Sequence, residues 1–223
     1  MSGSSAITKE LFADKSLLAV YRNSHSYSEN RLDRTIRITS FVTLLVISLI
    51  LAMSNVDLFP IAAKCINSWI GLGFIYATTI LGFLVAGFTI FSTMTRTEVF
   101  IALARSPHET LGVSQLKFIF YSFLKVFILH IVLIFSCVTI TMLKDAAGIY
   151  LSIFTDARFV IVVKKVAVFF IMPCLGYLII STLLHLKSFV WNLYQSIIIA
   201  VAGAATMYEL EQATVAAAIE TKP

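Results

Sequence analysis

The sequence contains few charged residues, and this scarcity is the first guide to the class of protein. Of 223 residues, 13% are Asp, Glu, Lys or Arg and 59% are hydrophobic, whereas soluble domains carry roughly 25% charged residues. With so few charges, a surface in water would expose large apolar patches that drive aggregation. A soluble globular enzyme is therefore excluded, and we expect most of the surface to face lipid or other subunits.

Cysteines and catalytic motifs are scarce as well. The three cysteines, Cys65, Cys137 and Cys174, are scattered along the chain, which excludes a disulfide framework and a CxxC metal or redox motif. No glycine-rich phosphate loop, HExxH or GxSxG occurs in the sequence. We therefore predict a non-enzymatic protein with no catalytic residues, no metal site and no cofactor.

Long apolar runs are what the sequence does contain. Crossing ~30 Å of hydrocarbon at ~1.5 Å per helical residue takes about 20 apolar residues. Four runs meet this requirement, at residues 38–59, 69–94, 118–143 and 166–184. The predicted fold is all-α: an integral membrane protein with four transmembrane helices, an N-terminal amphipathic helix and a C-terminal cytosolic or interfacial helix.

The spans divide the chain into three parts. Residues 1–37 form a cytosolic amphipathic and basic segment, residues 38–187 the transmembrane domain, and residues 188–223 a C-terminal helix and tail. Residues 188–207 are long enough for a fifth span, but no Gly or Pro separates them from the fourth. A helix that continues from the fourth span is favoured over a fifth span.

Basic residues near the ends of the spans predict the orientation, because Lys and Arg translocate poorly. Six lie before the first span, whereas the turn between the first two spans contains only Lys64. The third connection argues the other way, with Lys144, Arg158, Lys164 and Lys165. The steeper asymmetry at the first span favours a multi-pass protein of the bacterial inner membrane with both termini in the cytosol.

The N-terminal segment carries two helix signals and a basic strip. Residues 8–22 have a weakly amphipathic pattern, and Ser26-Tyr27-Ser28-Glu29 fits a capping box that starts a helix running into the membrane. On that helix Arg31, Arg34 and Arg37 recur every three residues. Such a strip binds anionic lipid or, alternatively, docks an acidic cytosolic partner.

The connection between the second and third spans has its own helix signals. Residues 95–98 form a capping box for a short helix through Ala104, and residues 106–109 form a second one, with Pro107 first in its helix and Gly112 as the stop. A structured loop of this kind either offers a partner surface, in which Glu98, Arg105 and Glu109 take part, or merely reverses the chain.

Two features inside the spans point to helix association or function. Small residues at i, i+4 and i+8 allow another helix, from this chain or a neighbour, to approach closely. Lys125 and His130 are ionisable groups in the third span. The ammonium group of Lys125 is able to snorkel to the lipid headgroups. His130 is either a neutral residue paired with a hydroxyl of another helix or a sensing or conducting group. The small-residue positions are Thr78, Gly82 and Ala86 in the second span, and the C-terminal helix repeats the pattern at Ser196, Ala200 and Ala204.

Residues 81–83 and 91–93, together with residues 100–104 and 114–118, carry a family resemblance. Over roughly residues 38 to 195 the chain resembles small four-span membrane proteins of bacterial anti-phage defence systems, with the membrane subunit of the Kiwa system as the nearest likeness. The resemblance implies a homo-oligomeric inner-membrane component that senses phage-induced membrane disturbance and works with a cytosolic partner acting on phage DNA. Direct nucleic-acid binding by this chain is not expected.

Two functions are therefore predicted as alternatives. In the first, the protein is a membrane sensor and scaffold that oligomerises and passes a membrane perturbation to a cytosolic protein through its inner surface. In the second, it is a pore-forming effector that depolarises the cell, with Lys125 and His130 lining the path. Anionic lipids of the bilayer are expected partners in either case.

Overall fold

A computed structural model of the chain describes residues 31–54, 59–94, 97–107, 113–153 and 157–220. Within these ranges the fold is all-α, and β-structure is limited there to an isolated bridge between Pro107 and Ser114. In chain order the helices are α1 (Arg31–Met53), α2 (Phe59–Met94), α3 (Thr97–Arg105), α4 (Gln115–Ile153) and α5 (Ala157–Glu220).

Helices α1, α2, α4 and α5 each contain a segment long and apolar enough to cross a bilayer. The prediction of an all-α membrane protein with four spanning helices is confirmed. Each helix begins before its predicted apolar run; α2, for example, starts at Phe59 and not at residue 69. The reason is that backbone hydrogen bonding continues into the polar flanks, whereas the search for spans stopped at polar residues. The four segments are Arg31–Met53, Phe59–Thr93, Gln115–Gly148 and Phe159–Gln195.

The last helix, α5, is far longer than a membrane span. Its 64 residues run unbroken through Pro173 to Glu220, which corresponds to about 96 Å at ~1.5 Å per residue. Residues 188–207 lie entirely within it, in agreement with the prediction of a helix that continues from the fourth span. Lys187 and Ser188 provide no turn chemistry, so the helix has no reason to end there.

The connection between α2 and α4 contains one of the two predicted short helices. α3 covers Thr97–Arg105, close to the helix predicted from the first capping box. The prediction that Pro107 begins a second helix is wrong, because Pro107 forms a bridge with Ser114 and the amide of Gln115 donates to the carbonyl of Ser106 at 2.9 Å. The remainder of the second predicted helix, residues 108–112, lies outside the described residues.

Two predicted features lie before the first described residue. The amphipathic helix expected at residues 8–22 and the capping box at residues 26–29 both lie outside the described residues. The structure therefore begins with α1, whose first residue is Arg31.

The chain divides into two compact units. The first, called here the bundle unit, comprises the described residues within 31–86 and 126–186. The second, called the loop unit, comprises those within 87–125 and 187–220. Each unit has a hydrophobic cluster of its own.

The core of the bundle unit is formed by small and branched side chains that let its helices approach closely. Gly176 on α5 is the tightest of these positions: Leu44 of α1 and Trp69 of α2 lie so near that a Cβ at residue 176 would collide with Leu44. Buried core residues of α2, α4 and α5 are Ala62, Ile66, Ile70, Ala77, Leu133, Cys137, Val168, Met172 and Leu175.

Helix α1 buries three polar side chains. Its buried residues are Asp33, Arg37 and Ser48, whereas many of its Ile, Leu and Val side chains are exposed. This arrangement is what a hydrocarbon solvent favours, since lipid solvates apolar side chains and leaves polar groups to find protein partners.

The loop unit has a smaller core. Leu103 of α3 packs with Leu116 and Ile119 of α4, and Leu193 of α5 lies against this cluster. Aromatic contacts join α4 to the end of α2 and to α5, with the rings of Phe88 and Phe123 stacked 4.5 Å apart and Phe189 of α5 6.0 Å from Phe123. α3 is thus held by apolar contacts within this unit.

Candidate functional site in the bundle unit

His130 is the most enclosed polar side chain of α4, with 0% of its surface exposed. Its Nδ1 lies 2.8 Å from the carbonyl oxygen of Val126, one turn earlier on the same helix. A carbonyl only accepts, so Nδ1 carries the proton and donates to Val126. In the neutral ring Nε2 is then an acceptor, and the hydroxyl of Tyr76 on α2, 3.3 Å away, donates to it.

Tyr76 also connects this contact to α5. The side chain of Thr182, which is fully buried, interacts with the Tyr76 hydroxyl. The hydroxyl of Thr182 itself donates to the carbonyl of Ile179 at 2.8 Å. Three helices of the bundle unit are thereby joined through one set of side chains, called here the Tyr76 triad (Tyr76, His130 and Thr182).

A second polar contact lies one helical turn further along α5. Nδ1 of His185 donates to the carbonyl of Ser181 at 2.7 Å, so Nε2 accepts from the guanidinium of Arg37 at 3.5 Å. A neutral imidazole fits this position, because a protonated ring would present a second cation to Arg37. The contact ties α1 to α5, and Asp33 lies buried one turn before Arg37 on α1.

A cavity of about 540 Å³ adjoins the Tyr76 triad. It lies among α1, α2 and α5, with Tyr76 and Gly176 in its wall, and α1 contributes the hydroxyls of Thr39, Ser40 and Thr43. The remaining lining is apolar or aromatic. The polar contacts of the bundle unit thus border an open space within the bundle.

These groups are suited to joining helices and to exchanging hydrogen-bond partners. Both ring nitrogens of His130 and of His185 are engaged in hydrogen bonds. Among the described residues, no group of three or more His, Cys, Asp or Glu side chains is arranged to hold a metal ion. The geometry therefore provides interhelical contacts whose loss would loosen the bundle unit.

The structure changes the interpretation of Lys125. The side chain is 3% exposed, so it is enclosed by protein and does not extend towards the headgroups. The expectation that Lys125 snorkels is therefore wrong. The expectation rested on distance from the end of the apolar run alone, whereas the outcome depends on which face of α4 the neighbouring side chains cover.

The basic strip is also different from the prediction. Arg31 and Arg34 are exposed, but Arg37 is 7% exposed and contacts His185. Successive steps of three residues rotate by about 60° around a helix of 3.6 residues per turn, so Arg31 and Arg37 cannot share one narrow face. Of the three arginines, only Arg31 and Arg34 belong to the exposed basic surface of α1.

The predicted loop surface is described in part. Arg105 is exposed at the end of α3. The side chain of Glu98 and the whole of Glu109 lie outside the described residues.

The small-residue stripe of α2 faces outward. Thr78, Gly82 and Ala86 are exposed, and a Cβ added at Gly82 would meet no atom within 4 Å. Described helices of this chain therefore leave the stripe at Gly82 open. The side chains of Ser196, Ala200 and Ala204 lie outside the described residues.

Sequence reasoning identified His130 and expected a hydroxyl partner from another helix, but it missed the other members of the site. Tyr76 and Thr182 were overlooked because a Tyr or Thr inside an apolar run does not interrupt it. A usable signal exists for α5, where Ser181 and His185 lie four residues apart and so share a face.

No protein-family model, curated protein or solved structure matches this chain. The function is therefore argued from the geometry above.

Proposed function

We propose that this protein is a non-enzymatic sensor and scaffold of the bacterial inner membrane, which couples a membrane perturbation to a cytosolic partner. The observation that carries the proposal is the continuity of α5. One unbroken helix holds Thr182 and His185, the α5 members of the polar contacts in the bundle unit, and further on Leu193, which packs in the loop unit.

The bundle unit has the physical properties that a sensor needs. In lipid, helix association lacks the hydrophobic driving force and depends on close contacts and interhelical hydrogen bonds. α1 is attached to α5 by the Arg37–His185 contact and by the close approach at Gly176. A disturbance of lateral pressure that separates α1 from α5 breaks these contacts and changes the environment of α5.

The charge distribution supports an orientation with both termini in the cytosol. Residues 1–37, 95–117 and 187–223 contain six, three and two Lys or Arg residues, against five in residues 60–65 and 144–165. Because basic residues are enriched on the cytoplasmic side, we assign the exposed Arg31 and Arg34 to the inner face. They form the surface that we propose for the cytosolic partner.

The place of the protein in an anti-phage defence system, and its homo-oligomerisation, are proposed from the resemblance over roughly residues 38 to 195 described above. The outward-facing stripe at Thr78, Gly82 and Ala86 is compatible with a second copy in the membrane.

Pore formation receives less support from the geometry. A conducting path through His130 and Lys125 requires both side chains to face water, yet both are buried, and His130 has its ring nitrogens occupied by Val126 and Tyr76. The sensor is therefore the better proposal.

Affinity purification from gently solubilised membranes tests the partner surface. The double variant Arg31→Glu, Arg34→Glu is expected to insert normally and to lose a cytosolic partner that the wild type retains. The matched control, Lys64→Glu, reverses a charge at the opposite end of the spans and is expected to retain it. Equal retention by all three proteins would contradict this surface.

Proteoliposomes of the purified protein provide the second test. We expect no ion flux above that of empty liposomes. Conduction by the wild type that is lost in His130→Leu would refute the sensor proposal in favour of a pore.

A further inference from the structure

A second cavity lies in the bundle unit, at the ends of the helices where α2 and α5 begin. Its volume is about 500 Å³, within the range of roughly 300–1,000 Å³ typical of small-molecule sites. Helices α2, α4 and α5 line it, and among the lining residues only Asn67, Lys144 and Lys164 have polar side chains. The cavity is thus an apolar groove with two cationic side chains.

The dimensions of the groove match one leaflet. Its lining extends from Phe59 to Ile70 on α2 and from Val163 to Ile171 on α5, which correspond to roughly 16 and 12 Å at ~1.5 Å per residue. Half of the hydrocarbon core is about 15 Å deep. An acyl chain entering from the membrane surface therefore fits the groove along its length.

The two lysines lie near the membrane surface. Lys144 is one turn before Gly148, where the third apolar segment ends, and Lys164 follows Phe159, where the fourth begins. Lys144 Nζ donates to Asn67 Oδ1 at 3.2 Å, which leaves two of its three hydrogens for a ligand. Lys164 Nζ lies 5.3 Å from the ring centre of Phe59. Both ammonium groups are held at the groove by neighbouring side chains.

The charge around the groove favours a lipid with an anionic headgroup. Residues 54–65 and 144–165 together contain five basic and three acidic residues, so the region carries a net positive charge. A phosphodiester supplies an anion for the ammonium groups that border the groove, and its acyl chain supplies the apolar partner of the groove. A zwitterionic lipid matches the groove but brings a cation to the lysines.

We propose that this groove binds one anionic phospholipid, with its phosphate at Lys144 and Lys164 and one acyl chain along α2, α4 and α5. The site rests on the bundle unit alone, and it holds whichever side of the membrane these helix ends face. The groove is separate from the partner surface at Arg31 and Arg34. A negative result for the lipid site therefore leaves the partner surface untouched, and the reverse also holds.

Native mass spectrometry of the full-length protein in detergent tests the proposal, with phosphatidylglycerol and phosphatidylcholine of identical acyl chains as probes. The wild type is expected to retain one phosphatidylglycerol in preference to phosphatidylcholine. Each lysine at an anionic headgroup accounts for roughly a fivefold change in affinity. The double variant Lys144→Gln, Lys164→Gln is therefore expected to bind phosphatidylglycerol roughly 30-fold more weakly and to lose the preference.

Two matched controls separate a site from general attraction. Lys64 is exposed and does not line the groove, so Lys64→Gln is expected to keep the preference. Ala167→Phe fills the groove and is expected to reduce binding of both lipids, whereas Val166→Phe adds the same ring outside it and is expected to have no effect.

Three results would overturn the proposal. The wild type binding both lipids equally would show that the lysines do not select an anion. Loss of the preference in Lys64→Gln to the same extent as in the double variant would show diffuse attraction. A change of oligomeric state in Ala167→Phe, with lipid binding unaltered, would assign the groove to a second copy of the chain.

Discussion

Removing the hydroxyl of Tyr76 tests whether the polar contacts hold the bundle unit together. Tyr76→Phe keeps the ring and takes away the donor to Nε2 of His130, which is fully buried. A buried group left without its partner costs about 1–3 kcal/mol in soluble proteins, whereas interhelical hydrogen bonds in a membrane bundle average about 0.6 kcal/mol and reach about 1.7. The contact measures 3.3 Å, a long hydrogen bond, so we expect a loss of about 1 kcal/mol in the free energy of unfolding.

A double-mutant cycle isolates this contribution. Unfolding is measured by titrating sodium dodecyl sulfate into detergent micelles, for the wild type, Tyr76→Phe, His130→Leu and the double variant. In the His130→Leu background the acceptor is absent, so Tyr76→Phe is expected to cost close to nothing there. The expected coupling energy is therefore about 1 kcal/mol.

Tyr177→Phe is the matched control, because Tyr177 is exposed and its ring contacts Phe41 edge-on. Its effect is expected to stay within about 0.5 kcal/mol. A cost of Tyr76→Phe that is the same with and without His130 would refute the reasoning, since the hydroxyl would then act through some other contact.

Two further substitutions test close contacts in the two units. Gly176→Ala forces Leu44 to move and is expected to lower stability by about 1–3 kcal/mol. Its control, Gly82→Ala, adds a methyl group in open space and is expected to raise stability by up to about 1 kcal/mol. Thermal unfolding in detergent measures both, and equal effects would contradict the close approach at Gly176. Leu103→Ala, at a buried position of the loop unit, is expected to cost about 2–5 kcal/mol, against about 0.5 kcal/mol or less for the exposed Ile101→Ala; a small loss at Leu103 in the same assay would indicate that α3 is not held by this cluster.

The four spans could be predicted from the sequence because length and apolarity are local properties. The same holds for α3, whose start is signalled by a capping sequence a few residues long, and for the absence of a turn at Lys187. The bridge between Pro107 and Ser114 could not be predicted in this way, because it depends on how the chain returns to α4.

The candidate site depended on contacts between distant parts of the sequence. His130 was identified by its rarity inside an apolar run, but its partner Tyr76 is 54 residues away, and the partner of Arg37 is 148 residues away. Regular spacing suggested that Arg37 belongs with Arg31 and Arg34, and only the position of α5 shows that it does not. The protein-facing and lipid-facing sides of a membrane helix both carry apolar side chains. Periodicity alone therefore gives little information about which side faces the protein.

The buried polar side chains of α1 have a consequence for how its sequence is free to change. Exchanges among Ile, Leu, Val and Phe on its exposed positions alter neither solvation nor shape complementarity, because fluid lipid accommodates each of them. Arg37 lacks this freedom, since any replacement must still satisfy its buried partner His185. Over evolutionary time α1 should therefore change its lipid-facing hydrophobic residues while retaining Arg37, the reverse of the pattern expected of a helix in a water-soluble protein.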